Sequence, residues 1–177
     1  MNDWQQQLKI DPIPALLSSE DEALIYLTQR DLLEKAVEPV EALWKLPAAL
    51  KIVNKQQEDG SWRYPGKGAC DAWANYELLE TYRQLRVLVE MYGFNRAHPA
   101  IQRAAEYTFS CQTEEGDIRG ILGNQYTPYY HGAMAELLIK AGYADDARTE
   151  RGMEWLLSMR QDDGGWLIPM QAIPPKE

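Results

Sequence analysis

The sequence has little cysteine and little positive charge. Its two cysteines, Cys70 and Cys111, are too few for a disulfide framework. Lysine and arginine total 18 against 27 aspartates and glutamates, which gives a net charge of −9. Because nucleic-acid binding needs a clustered basic surface, this balance argues against a nucleic-acid partner.

Long apolar runs are absent as well. No segment approaches the roughly 18 apolar residues that a membrane span requires, so no transmembrane segment is predicted. The first residues, Met1 to Trp4, do not form a basic region followed by an apolar stretch, so we expect a cytoplasmic protein. The sequence also contains no phosphate-binding glycine loop, no nucleophile elbow and no His-x-x-x-His metal pair, and no cofactor is predicted.

What the sequence does contain is helical periodicity. Apolar residues make up 45% of the chain, and they recur at helical spacing without an alternating strand pattern, which predicts an all-α fold. Pro12 and Pro14 predict an extended entry segment, and a capping box at Ser19 predicts the first helix start. The predicted helices cover 19–35, a short helix from 39 that restarts at 47 and runs to about 57, then 71–92, 99–111, 128–142 and 145–160.

A short turn motif recurs along the chain. Residues 57–62, Gln-Glu-Asp-Gly-Ser-Trp, are repeated at 161–166 as Gln-Asp-Asp-Gly-Gly-Trp, and residues 112–118 form a copy with one extra residue and no tryptophan. Each copy follows a helix, so the repeated unit is a helical hairpin of about 50 residues. The motif residues are Gln57, Gly60 and Trp62, then Gln112 and Gly116, then Gln161, Gly164 and Trp166.

The residue types of this motif predict a structural role. Glycine permits the backbone conformations with which a chain leaves a helix. The glutamine side chain can hydrogen-bond exposed backbone groups there, and the tryptophan ring buries a large apolar area. We therefore expect the motif to tie helices together without contacting a substrate.

These turns resemble the Gln–Trp repeats of squalene-hopene and oxidosqualene cyclases, whose hairpin unit also builds the β subunits of protein prenyltransferases. Residues 75–82, 116–126 and 154–166 are most similar to prokaryotic prenyltransferase and squalene-oxidase repeat proteins. The resemblance runs from about residue 44 to residue 166 and implies an α/α-toroid of helical-hairpin repeats. In the cyclases the motif is a structural tie.

The resemblance also implies that the ring is partial. A complete toroid of this family alternates about six inner with six outer helices, and this chain supplies about three hairpins, the third without its second helix. We expect an N-terminal extended segment and helix over 1–38 and a single repeat domain, about half a ring, over 39–177. Since each repeat needs its neighbours for burial, self-association or the remainder of a longer chain is expected to complete the ring.

Candidate site residues lie on two of the predicted helices. They are Trp73, Tyr76 and Glu80 on one, and Tyr126, Tyr129, Tyr130 and His131 at the start of the other. The resemblance implies a terpenoid cavity in which aromatic faces stabilise carbocations, with an isoprenoid or another apolar small molecule as ligand. Core packing accounts for the same aromatic residues without a ligand.

Asp71 is the candidate catalytic residue. Squalene-hopene cyclases protonate their substrate with an Asp-rich motif at a comparable place, but only one aspartate stands here, and Asp71 also fits a helix N-cap. The zinc chemistry of protein prenyltransferases would draw on Cys70, Asp71 and His131. Adjacent residues at a helix start diverge by about 100°, so no metal site is predicted.

Two functions follow from the sequence as alternatives. The first is an isoprenoid-handling enzyme, or the N-terminal half of one, with an aromatic cavity. The second is a non-catalytic toroid module that binds a lipid or a protein partner.

Overall fold

The computed structural model describes residues 7–66 and 74–167. Within these residues the chain forms seven α-helices and no strand, so the predicted all-α class is confirmed. The helices are α1 (Ile13–Leu17), α2 (Glu22–Leu27), α3 (Pro47–Val53), α4 (Tyr76–Tyr92), α5 (Pro99–Ser110), α6 (Pro128–Leu138) and α7 (Ala147–Ser158). A π-helical turn extends α2 over Thr28–Leu32 and α6 over Ile139–Tyr143, and a 3-10 helix, Val40–Lys45, precedes α3. No helix in the described part of the chain has both the length and the apolar character needed to cross a membrane.

Proline and polar caps set several helix starts as the sequence predicts. Pro47, Pro99 and Pro128 are first helical residues, where the missing N–H would have no intrahelical partner in any case. Asp146 caps α7, because its carboxylate accepts a hydrogen bond from the backbone N–H of Arg148 at 2.9 Å.

The first helices differ from the prediction. The segment around Pro12 and Pro14 is not extended but contains the short helix α1. Asp21, not Ser19, caps α2, because an Asp21 carboxylate oxygen accepts from the backbone N–H groups at 23 and 24. The helix and its π-helical turn end at Leu32, three residues before the predicted end at Lys35.

The start of α4 also differs from the prediction. The side chain of Asn75 accepts a hydrogen bond from the N–H of Leu78 at 2.8 Å, so the helix begins at Tyr76 and not near Asp71. At its other end, Gly93 takes the left-handed conformation that ends many helices, as predicted.

The apolar helix faces pack into two clusters. The first joins Ala23 of α2 to Leu88 of α4 and Ile101 of α5, so the N-terminal helix shares a core with the residues after 39. The second centres on Phe109 and Met134. Helices α4 and α5 pack together, as do α6 and α7, and α4 also contacts α6.

Three turns connect these helices in the same way. Turn 1 (56–62), turn 2 (112–118) and turn 3 (160–166) are each closed by a backbone bridge, which joins Gln56 to Trp62, Gln112 to Ile118 and Arg160 to Trp166. In this register the glycine is the fifth residue of every turn, so turn 2 carries no extra residue. The predicted register is therefore wrong by one residue: Gln56 and Arg160, not Gln57 and Gln161, correspond to Gln112.

Gln56 connects turn 1 to the start of α5, and Gln112 connects turn 2 to the start of α7. In both, the side-chain Nε2 donates to the carbonyl oxygen of the turn glycine and to that of the second residue of α5 or α7. These acceptors are Gly60 and Ala100 for Gln56, at 2.9 and 2.8 Å, and Gly116 and Arg148 for Gln112, at 2.7 and 2.8 Å. The predicted role of the glutamine thus belongs to Gln56, while Nε2 of Gln57 donates only to the hydroxyl of Ser61 within the same turn.

The turn glycines permit this close approach. Gly60 and Gly116 have φ values of +92° and +116°, which side chains rarely adopt. A Cβ on Gly60 would overlap the carbonyl oxygen of Arg103, and one on Gly116 would lie 2.8 Å from that of Arg151. Turns 1 and 2 are therefore docked against the first turns of α5 and α7.

Candidate functional site

The predicted aromatic residues make ring contacts with their neighbours. Tyr76 lies against Tyr64 with ring centroids 5.0 Å apart, and Tyr126 lies edge-on to Trp155 at 6.0 Å. Tyr130 is half-buried against the second core cluster. These are packing contacts. The candidate catalytic residue Asp71, together with Cys70 and Trp73, lies outside the described residues.

His131 is a buried structural residue. Its Nδ1 accepts a hydrogen bond from the backbone N–H of Ile118 at 3.0 Å, so the ring proton sits on Nε2 and is donated to the carbonyl oxygen of Gly152 at 2.8 Å. Both nitrogens are thus engaged in joining turn 2, α6 and α7. A cavity lined by His131 stays a prediction. In turn 1 the corresponding acceptor is Thr81, whose hydroxyl accepts from the N–H of Trp62 at 3.0 Å.

The burial of His131 predicts a pH-dependent stability. Burial lowers the pKa of His131 from its ordinary value of 6.5, although the hydrogen bond to Gly152 and the charge of Asp117 act in the opposite direction. The unfolded chain therefore binds this proton at a higher pH than the folded chain. We expect the free energy of unfolding to fall as the pH falls below about 6.5, and to level off only when the folded-state ring is protonated too.

Urea unfolding from about pH 8 to about pH 5.5 measures this dependence. The matched variant is His131→Asn, whose side-chain oxygen can still accept from Ile118 but does not titrate. His98 is present in both proteins, and burial lowers its pKa as well, so it contributes equally to both curves. Parallel pH dependences for the two proteins would contradict the prediction.

A groove of about 550 Å³ lies beside turn 1, between the end of α3 and α4. Its lining combines apolar side chains with positive charge: Ile52, Trp62 and Pro65 are apolar, Lys51, Lys55 and Arg63 are cationic, and Glu80 and Gln84 complete it. The groove falls within the size range of small-molecule sites. Among the described residues, none of its three cations has an ion-pair partner.

Glu80, a predicted cavity residue, lies in this groove. Its side chain is buried, and its carboxylate accepts a hydrogen bond from Nε2 of Gln84 at 2.5 Å. The guanidinium of Arg83 lies 3.4 Å from the other oxygen. Because Gln84 and Arg83 of its own helix contact the Glu80 carboxylate, the positive charges of Lys51, Lys55 and Arg63 are left for a ligand.

Among the described residues, this groove lacks a cover that the equivalent place in the second hairpin has. In the second hairpin, Tyr107 and Cys111 of α5 contact Asn75 at the start of α4, at 3.3 and 3.7 Å. Lys51 and Lys55 precede turn 1 by the same numbers of residues as Tyr107 and Cys111 precede turn 2. However, α2 has six residues and its π-helical turn five, against the 17 of α4, so the first turns of an equivalent helix are missing there.

These cations were not among the predicted site residues. Lys51 of α3 and Lys55, two residues beyond the end of that helix, stand four residues apart, which is the available signal. A chain-wide charge of −9 hides this local surplus of positive charge. Tyr129 lies elsewhere, at an apolar groove of about 320 Å³ with Pro128, Leu156 and Trp166.

The fold and the groove together define an all-α protein with an amphipathic, cationic site. No protein-family model matches the chain, and no curated protein matches it. One solved structure that resembles it is a crystal structure of a protein from Actinoplanes, with 21% sequence identity and a TM-score of 0.47. The match covers 70% of this chain and 35% of that protein, so the chain spans about a third of its length. A likeness at this level assigns no function.

Proposed function

We propose that the chain is an isoprenoid-handling protein that binds an amphipathic anion, of the prenyl diphosphate class, in the groove between α3 and α4. The observation that carries the proposal is one groove that combines apolar side chains with three cations that have no ion-pair partner within residues 7–66 and 74–167. Lys51, Lys55 and Arg63 offer charge-assisted hydrogen bonds to phosphate oxygens. Trp62 and Ile52 offer apolar surface to a hydrocarbon chain.

The resemblance to the cyclases and prenyltransferases supports the choice of an isoprenoid over other amphipathic anions. The same proposal includes a half-toroid architecture, which self-association or the remainder of a longer chain completes to a ring. In this proposal the bound molecule lies beside the buried carboxylate of Glu80. Incubation of the protein with a prenyl diphosphate, followed by product analysis, would separate binding from turnover.

Isothermal titration calorimetry with three probes tests the binding. We expect geranylgeranyl diphosphate to bind more tightly than both inorganic pyrophosphate and geranylgeraniol, because only the first contacts the cations and the apolar lining together. Lys51→Ala combined with Lys55→Ala should weaken its binding about tenfold or more, since each hydrogen bond to a charged group contributes about 1.5–3 kcal/mol.

Lys9→Ala is the matched control, because Lys9 is an exposed lysine outside the groove. Unchanged affinity in the double variant would refute the assignment of the groove. Equal binding of the diphosphate and the alcohol would instead show an apolar ligand, as expected for the alternative, a non-catalytic module that binds a lipid.

A further inference from the structure

Arg83 of α4 is not a lining residue of the groove between α3 and α4, but it contacts one. Its guanidinium lies 3.4 Å from the carboxylate of Glu80, which is buried in the groove wall. Among residues 7–66 and 74–167, Arg83 is the one cation that pairs with Glu80. A buried carboxylate without a compensating charge is unfavourable, so this pair determines the net charge that the groove presents to a ligand.

The aromatic ring of Tyr64 fixes this guanidinium beside Glu80. The guanidinium carbon of Arg83 lies over the ring, 5.7 Å from its centroid, and the ring also lies against Tyr76. A cation over an aromatic face is attracted to it, so the contact restrains the long arginine side chain. Tyr64 stands between Arg63 and Pro65, which both line the groove. The same contact therefore attaches the segment that carries Arg63 to α4.

The second hairpin forms without this ion pair. Equivalent positions of α4 and α6 are marked by the residues that accept a hydrogen bond from the last backbone N–H of turns 1 and 2, Thr81 and His131. Counted from these residues, Tyr130 and Ala133 stand in the places of Glu80 and Arg83. Helix α6 thus packs with two uncharged residues there, which favours a role of the ion pair in the groove over a role in the fold.

Glu80 and the groove cations act on an anionic ligand in opposite directions. Lys51, Lys55 and Arg63 attract a diphosphate, whereas the carboxylate in the same lining repels it. The repulsion falls when a positive charge stands next to the carboxylate, and Arg83 supplies that charge. A neutral apolar ligand would not respond to this compensation.

We propose that Arg83 is a positioning residue that makes the groove selective for anions by compensating the charge of Glu80. The inference rests on the proposed function, because it concerns the diphosphate end of the same ligand. Arg83 acts on that ligand through Glu80 and does not contact it.

Isothermal titration calorimetry with geranylgeranyl diphosphate and geranylgeraniol tests the role of Arg83. Arg83→Met removes the charge and keeps most of the side-chain length. We expect it to weaken binding of the diphosphate about fivefold or more and to leave binding of the alcohol unchanged, because only the diphosphate meets the uncompensated carboxylate. Arg86→Met is the matched control, since Arg86 is exposed on the same helix, lies outside the groove lining and pairs with Glu90 at 3.3 Å.

A second substitution separates compensation from a structural effect. Glu80→Gln combined with Arg83→Met should restore the affinity for the diphosphate, because glutamine carries no charge to compensate and its oxygen can still accept a hydrogen bond from Gln84. Circular dichroism checks that each variant is folded. A structural role of Arg83 predicts no such rescue.

Three results would overturn the role of Arg83. They are unchanged diphosphate binding in Arg83→Met, an equal loss for the alcohol, and a double variant that binds the diphosphate no better than Arg83→Met alone. The variant with Lys51→Ala and Lys55→Ala distinguishes this failure from that of the proposed function. If it weakens diphosphate binding while Arg83→Met does not, only the role of Arg83 is refuted; if neither variant has an effect, the groove itself is wrongly assigned.

Discussion

Gly60→Ala is expected to destabilise the fold far more than Gly164→Ala. The two glycines have nearly the same backbone conformation, with φ values of +92° and +88°. A Cβ at Gly60 would overlap the backbone of Arg103, whereas a Cβ at Gly164 would meet only the flexible end of Arg160. The backbone strain, about 1–2 kcal/mol, is common to both, so the difference between them measures the displacement of α5.

We expect a loss of more than about 4 kcal/mol in the free energy of unfolding for Gly60→Ala, a large part of the stability of a domain of this size. Chemical denaturation at a protein concentration low enough to keep the chain monomeric measures both variants. Gly116→Ala should resemble Gly60→Ala, because its Cβ would meet the backbone of Arg151. Similar losses at Gly60 and Gly164 would show that turn 1 is not docked as described.

Local sequence chemistry accounts for much of the fold. Prolines at 47, 99 and 128 predict helix starts correctly, because their effect acts within one turn of helix. For α7 the sequence offers Asp145 or Asp146 as the cap, and the structure has Asp146. Where two caps compete, local chemistry is less decisive. Ser19 and Asp21 both fit an N-cap, and in the structure the hydroxyl of Ser19 accepts from the N–H of Asp21 while Asp21 caps α2.

The register of the turns and the location of the groove depend on contacts that are distant in sequence. Gln56 and Gln57 are the same residue type, and the distant contacts that distinguish them are the bonds that join Gln56 to Ala100 and Arg103, 44 and 47 residues away. Likewise, the groove depends on the length of α2 relative to α4, not on any motif around Lys51. The contacts of His131 with turn 2 and α7 could not be read from its neighbours along the chain.

Trp62→Ala is expected to be among the most destabilising single changes. Trp62 is buried in the first core cluster and its indole N–H is hydrogen-bonded to the carbonyl oxygen of Ile52, so alanine leaves a large cavity and removes this hydrogen bond. Large-to-small changes of this kind cost about 3–5 kcal/mol. Trp166→Ala removes an equivalent hydrogen bond but much less buried area, so we expect a loss below about 2 kcal/mol in the monomer.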